Sequence, residues 1–163
     1  RQPELRAVGC GESLLREPDR LARYVAAAAE TGATTSVKVR AEVPGVDLVA
    51  VAERVAAAGA DWLHVDAMDS EAVIADLAAA VDAAPASGAA GDLADLTLVA
   101  NNGVRGRETV AEYAGHGADA VSVGRPTEDP PVLSRVADAV GEWRDGMLRR
   151  GGVGADPEPE VRP

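Results

Sequence analysis

The sequence predicts an α/β protein built from parallel β/α units, and three observations lead there. Short β-branched runs alternate with stretches of helical periodicity in the order αβαβαβαβα, the pattern of parallel strands joined by crossover helices. One segment repeats: Gly59-Ala60-Asp61-Trp62-Leu63-His64-Val65 returns 58 residues later as Gly117-Ala118-Asp119-Ala120-Val121-Ser122-Val123. A fainter copy begins 27 residues before the first, at Gly32-Ala33-Thr34. A unit of this size is one βα step, and near-identical steps suit a (β/α)8 barrel better than a doubly wound sheet. A whole barrel takes about 250 residues and eight strands, whereas only four strands are legible in these 163 residues. The expected fold is therefore the C-terminal half, about strands 5–8, of a TIM barrel.

Each element has its own signal. Pro18 and Asp19 open a helix over 18–31, with Leu21, Tyr24, Val25 and Ala28 at helical spacing and Gly32 closing it. A β-branched run at 35–40 follows. Leu48, Val51, Val55 and Ala58 mark one face of a helix over 47–58, closed by Gly59. A strand at 62–66 leads to a helix over 70–81, then to an alanine-rich low-complexity stretch at 83–94. A strand at 97–101, a short helix at 106–115 and a last strand at 120–124 complete the alternation. The final helix, over 130–147, begins with Asp129 and Pro130, good N-cap and N1 residues. Residues 151–163, GGVGADPEPEVRP, carry too little apolar surface to order themselves. The expected organisation is one domain over 1–150 and a disordered acidic tail over 151–163.

Composition narrows the function. The formal net charge is −11, from 27 acidic and 16 basic residues, with no Phe. Acidic, lysine-poor chains of this kind resemble proteins of halophilic cytoplasms. The imbalance lies in residues 24–134, with 17 acids against 6 bases; residues 1–23 and 135–150 are nearly neutral. A nucleic acid normally needs a basic face, so only those two ends would tolerate one. One cysteine, Cys10, excludes an intrachain disulfide and a multi-cysteine zinc site. No apolar run approaches the roughly 20 residues that span a bilayer, and Arg1-Gln2-Pro3-Glu4 is unlike a signal peptide. A cytoplasmic protein with no membrane partner is expected.

Chemistry in parallel α/β folds collects at the carboxyl ends of the strands. Here those ends carry Lys38 and Arg40, then His64, Asp66 and Met68, then Asn101, Asn102 and Gly103, then Gly124 and Arg125. Backbone N–H groups at glycine turns before helices, with a guanidinium beside them, make an anion site. The last two strand ends are the expected phosphate site. Lys38 is the only lysine, against fifteen arginines, and a compact ammonium does what a planar guanidinium cannot. Placed at the end of a buried strand, across the barrel mouth from the phosphate, it suits a flavin. The phosphate of FMN would take the N–H cradle, and an ammonium would stabilise the negative charge of the reduced ring.

Four segments taken together, VKVR at 37–40, GADWLHVDAM at 59–68, VANNGV at 99–104 and GADAVSVGR at 117–125, resemble the dihydrouridine synthase family of FMN-dependent barrels. The HVDAM reading is closest to its archaeal branch, and the likeness covers about residues 1–130. The resemblance implies that Lys38 contacts the flavin ring, and that Asn101, Asn102, Gly103, Gly124 and Arg125 hold the FMN phosphate. It also implies NADPH or NADH as reductant, and the C5–C6 bond of a uracil in tRNA as substrate. Hydride would reach C6 and a general acid would protonate C5.

Three departures stand out. Family members end the strand of the second segment in histidine, where this chain has Asp66; His64, two residues earlier, shares that strand face and is counted with Asp66 as a cofactor-binding candidate. The family's proton-donating cysteine would fall before Arg1, and Cys10 lies instead in a glycine-rich stretch, so no catalytic residue is assigned. The helical tRNA-binding domain that usually follows the barrel is not legible here.

Two other functions compete. A dihydroorotate or dihydropyrimidine dehydrogenase-like flavoenzyme shares the lysine and phosphate arrangement, and the acidic charge favours its small pyrimidine substrate. A non-catalytic half-barrel that binds phosphate is the alternative outside enzymes. Four parallel strands leave two open edges, so a homo-oligomer or an N-terminal half is expected to close the barrel.

Overall fold

A computed structural model describes residues 3–8, 11–85 and 91–148. Cys10, residues 86–90 of the low-complexity stretch and the 151–163 tail lie outside the described residues. Four strands, β1 (Ser36–Arg40), β2 (Trp62–Asp66), β3 (Thr97–Asn101) and β4 (Ala120–Ser122), form one sheet in the order β1-β2-β3-β4, and all neighbouring pairs are parallel. Helices α1 (Pro3–Ala7), α2 (Pro18–Ala29), α3 (Leu48–Ala56), α4 (Ala72–Ala83), α5 (Arg107–Gly115) and α6 (Pro130–Arg144) precede, link and follow the strands. The α/β class and the consecutive parallel order are those of part of a (β/α) barrel.

The β-strand period of two separates two chemically distinct faces. Val37, Val39, Leu63, Val65, Leu98 and Ala100 are buried on one face. They join Val25 of α2, Val51 and Val55 of α3, Ile74 and Leu77 of α4, and Val110 of α5 in a single apolar core. Full burial of a side chain of this size contributes about 1.5–3 kcal/mol. The other face is polar and accessible. Ser36, Lys38 and Trp62 are exposed there, and His64, Asp66, Thr97, Asn101, Ala120 and Ser122 are half-buried, leaving Val99 as its buried member. Parallel sheets are ordinarily covered on both faces.

The repeated Gly-Ala-Asp is the joint that sets each helix against the next strand. Gly59 and Gly117 have φ of +94° and +91°, and a Cβ on either would stand 2.9 Å from Ala29 Cβ or 2.7 Å from Ala78 Cβ. Glycine is therefore required twice over, by conformation and by the closeness of the helix behind. The alanines are buried. The aspartates reach sideways: Thr35 N donates to Asp61 Oδ2 at 2.7 Å and Leu98 N to Asp119 Oδ2 at 2.9 Å. Each carboxylate thus satisfies an N–H at the start of the preceding strand.

Helix starts follow the expected chemistry. Asp47 Oδ1 accepts from Val49 N and Ala50 N at 3.0 and 3.1 Å, and the Asp129 side chain accepts from Val132 N ahead of Pro130. Two expectations need correction. The last strand stops at Ser122 instead of 124, because Ser122 pairs with Asn101, where β3 itself ends, and no ladder continues beyond it. Lys38 is neither buried nor at a strand end. It is the third of five residues in β1, and the alternation that buries Val37 and Val39 turns it onto the open face. Helix α1 and the 3-10 turns Gly11–Arg16, Leu93–Asp95 and Arg125–Glu128 lack the apolar repeat by which longer helices are recognised.

Candidate functional site

The ends of β2, β3 and β4 surround a cavity of about 340 Å³. It brings together six of the sequence-predicted residues: Asp66, Asn101, Asn102, Gly103, Gly124 and Arg125. Met68, Arg105 and Ser122 line it as well. Two exposed guanidiniums, Arg105 and Arg125, thus face one half-buried carboxylate, Asp66. Gly103, with φ of +66°, and Gly124 have open space where a Cβ would stand. A ligand can therefore approach the backbone closely at both turns.

Lys38 and Arg40 line a second, larger cavity of about 520 Å³, between β1 and the segment from Gly11 to Ala28. Asp66 lines both cavities, so the ammonium and the two guanidiniums stand on either side of one carboxylate. Arg40 is committed elsewhere, its Nη1 lying 3.4 Å from Glu12 Oε2.

His64 lines neither of these two cavities and stands on β2, between Lys38 on β1 and Ser122 on β4. It is the register partner of Lys38 on β1, and its Nε2 lies 2.7 Å from Ser122 Oγ on β4. Burial, and then the Lys38 charge, lower its pKa from the ordinary 6.5, against a smaller opposing effect of Asp66. The imidazole is accordingly neutral at pH 7.

The turn after β3 is held from below. Tyr113 of α5 is almost fully buried, and its hydroxyl donates to Asn102 O at 2.9 Å and to Asn101 O at 3.3 Å. Burial, with the charges of Glu71, Glu112 and Asp66, pushes this phenol up to about 12. Asn102 itself has φ of 100°, and Met68 and Glu42, each two residues past a strand end, have φ of 57° and 60°. Strained non-glycine backbone of this kind clusters at functional sites.

The sequence reading missed Ser122, Arg105 and Tyr113. Ser122 had a signal, because it is the repeat equivalent of His64, 58 positions on. Arg105 stands in a loop, and Tyr113 reads as an ordinary helix residue until the fold brings α5 under the turn.

Parallel βα steps, with glycine turns and guanidiniums at the strand ends, are those of an α/β barrel-type protein. The chain belongs to the dihydrouridine synthase family, whose sequence model, described as Dihydrouridine synthase (Dus), matches residues 2–145. That family consists of oxidoreductases acting on tRNA uridines. No curated protein and no solved structure gave a significant match. Among the described residues, no helix is long and apolar enough to cross a membrane.

Proposed function

We propose that this chain binds FMN at the open face of its sheet and serves the reduction of a uracil C5–C6 bond. The observation that carries the reading is a pair of cavities that share Asp66 in their linings, one with Arg105, Arg125 and two glycine turns, the other with the only lysine. The donor set fits the cofactor. Guanidiniums and glycine backbone suit a phosphate, and an ammonium on the polar face suits a ring that gains negative charge on reduction. Bound and reduced by NADPH or NADH, FMN would supply the hydride for C6 of the uracil, and a general acid other than the residues named here would protonate C5. The residues of this chain bind and orient. Arg105 and Arg125 take the phosphate, Tyr113 keeps the Asn101–Asn102 turn in place, and Lys38 holds a positive charge beside the ring.

Family membership supports a uridine of tRNA as the substrate. A small pyrimidine, as in a dihydroorotate or dihydropyrimidine dehydrogenase-like reaction, is the second reading, supported by the net charge of −11. Dihydrouridine content of tRNA from cells lacking the gene separates them: a deficit supports tRNA, and unchanged content supports the small substrate.

Both sheet edges, β1 and β4, lack a strand partner among the described residues. We therefore read the site as completed by further parallel strands, from a second copy or from additional polypeptide. A phosphate-binding half-barrel without redox chemistry is the outcome if FMN fails to bind while phosphate does.

A further inference from the structure

On the open face a hydrogen-bonded chain runs across three strands. Asn101 Nδ2 on β3 donates to Ser122 Oγ at 2.9 Å and to Ser122 O at 3.2 Å, and Ser122 Oγ lies 2.7 Å from His64 Nε2. His64 stands on β2, so its ring reaches past β3 to a residue of β4. An amide N–H has no role but donor, so the first link occupies one lone pair of Ser122 Oγ and leaves its hydroxyl proton available to the imidazole. A ring nitrogen that accepts a hydrogen bond carries no proton, and in a neutral imidazole the proton then sits on the other nitrogen. Chains of this kind also reinforce one another in a partly dry setting.

We infer that Ser122 is a positioning residue: with Asn101 behind it, it fixes His64 with its proton on Nδ1, as a hydrogen-bond donor to an acceptor group of the ligand on the open face. The ligand class is one with a carbonyl or imide oxygen, which a neutral N–H donor recognises and a guanidinium phosphate clamp does not. Among the described residues no other hydrogen bond of the His64 ring is found, which leaves Nδ1–H for that acceptor. The charged groups facing the ring agree. Lys38 on the neighbouring strand opposes a second proton, and Asp66 on its own strand favours one more weakly. The inference rests on the open face being the ligand site. It does not require that the ligand be FMN.

The chain has two histidines, His64 and His116, so ring ¹⁵N NMR of the unliganded full chain resolves them, with His64→Gln giving the assignment. The expected wild-type His64 signal is that of the Nδ1–H form, with a midpoint below the ordinary value. In Ser122→Ala the preference for that form is lost, and the midpoint rises by about half a pH unit to one pH unit, the equivalent of one net hydrogen bond. Ser122→Thr, which keeps the hydroxyl, restores both. An Nε2–H signal in the wild type overturns the inference, as does a Ser122→Ala spectrum with unchanged His64 shifts. The wild-type spectrum decides the tautomer even if the alanine variant does not fold. FMN titration is read separately, so a chain with the Nδ1–H form and no FMN binding defeats the flavin reading and leaves the role of Ser122 standing.

Discussion

Lys38 owes its place to the sheet's period of two. With Val37 and Val39 in the core, the side chain between them must stand on the open face, the one place where a ligand can meet it. Under the FMN reading, Lys38→Met removes the positive charge beside the reduced ring. The flavin midpoint potential then falls by on the order of 30 mV, the equivalent of a tenfold change in a two-electron equilibrium. Spectroelectrochemical titration of the two loaded proteins measures it, and an unchanged potential places Lys38 away from the ring. His64 gives a pH signature. Its folded pKa is depressed below 6.5, so below that pH the unfolded chain takes up a proton that the folded imidazole resists. Its contribution to stability is complete above about 6.5 and is lost as pH falls through the folded value. Urea midpoints at pH 7.5 and 5.5 should differ less in His64→Gln than in the wild type. Tyr113 acts at the other end of the scale. Its pKa, raised from 10 to about 12, gives stability present below pH 10 and lost as pH rises through that window.

Among the elements, the Gly-Ala-Asp joints carry more than their length implies. Gly117→Ala puts a methyl 2.7 Å from Ala78 Cβ at a φ of +91°, so strain and overpacking act together. A loss of about 1–3 kcal/mol is expected. Gly103→Ala, at φ of +66° with open space, meets the conformational penalty alone and costs less. Chemical denaturation of the two variants tests the order, and equal losses would remove packing from the explanation. These joints also explain why so much of the fold was legible. The repeat marks the helix-to-strand steps, and each glycine in it has a steric reason to be there. Strands β2 and β3 end where the alternation says they should. What escaped is what sequence periodicity does not encode: 3-10 turns too short for a pattern, the early end of β4 set by its neighbour, and the contact by which Tyr113 of α5 reaches back to the turn that ends β3. In the site, the polar strand ends were visible, and Lys38 lines a different cavity from Arg125, as its expected place across the barrel mouth implies; that Asp66 lines both cavities was not legible.

For the whole molecule, the open polar face and the two unpaired edges are one fact seen twice. Exposed parallel edges invite pairing, and Tyr24 of α2 and Val140 of α6 lie exposed near the β1 and β4 sides respectively. Self-association of this chain in sedimentation equilibrium is the expected behaviour, strengthening with concentration. A cooperative monomer across the range would mean that the edges need no further strands. The central claim is that the two cavities flanking Asp66 bind FMN, and a fluorescence titration of FMN with the purified chain tests it most directly. Saturable quenching in the wild type, weakened about tenfold or more in Arg125→Ala by loss of a charge-assisted contact to phosphate, is the predicted result. Fluorescence that stays at the free-flavin level at every protein concentration would contradict it.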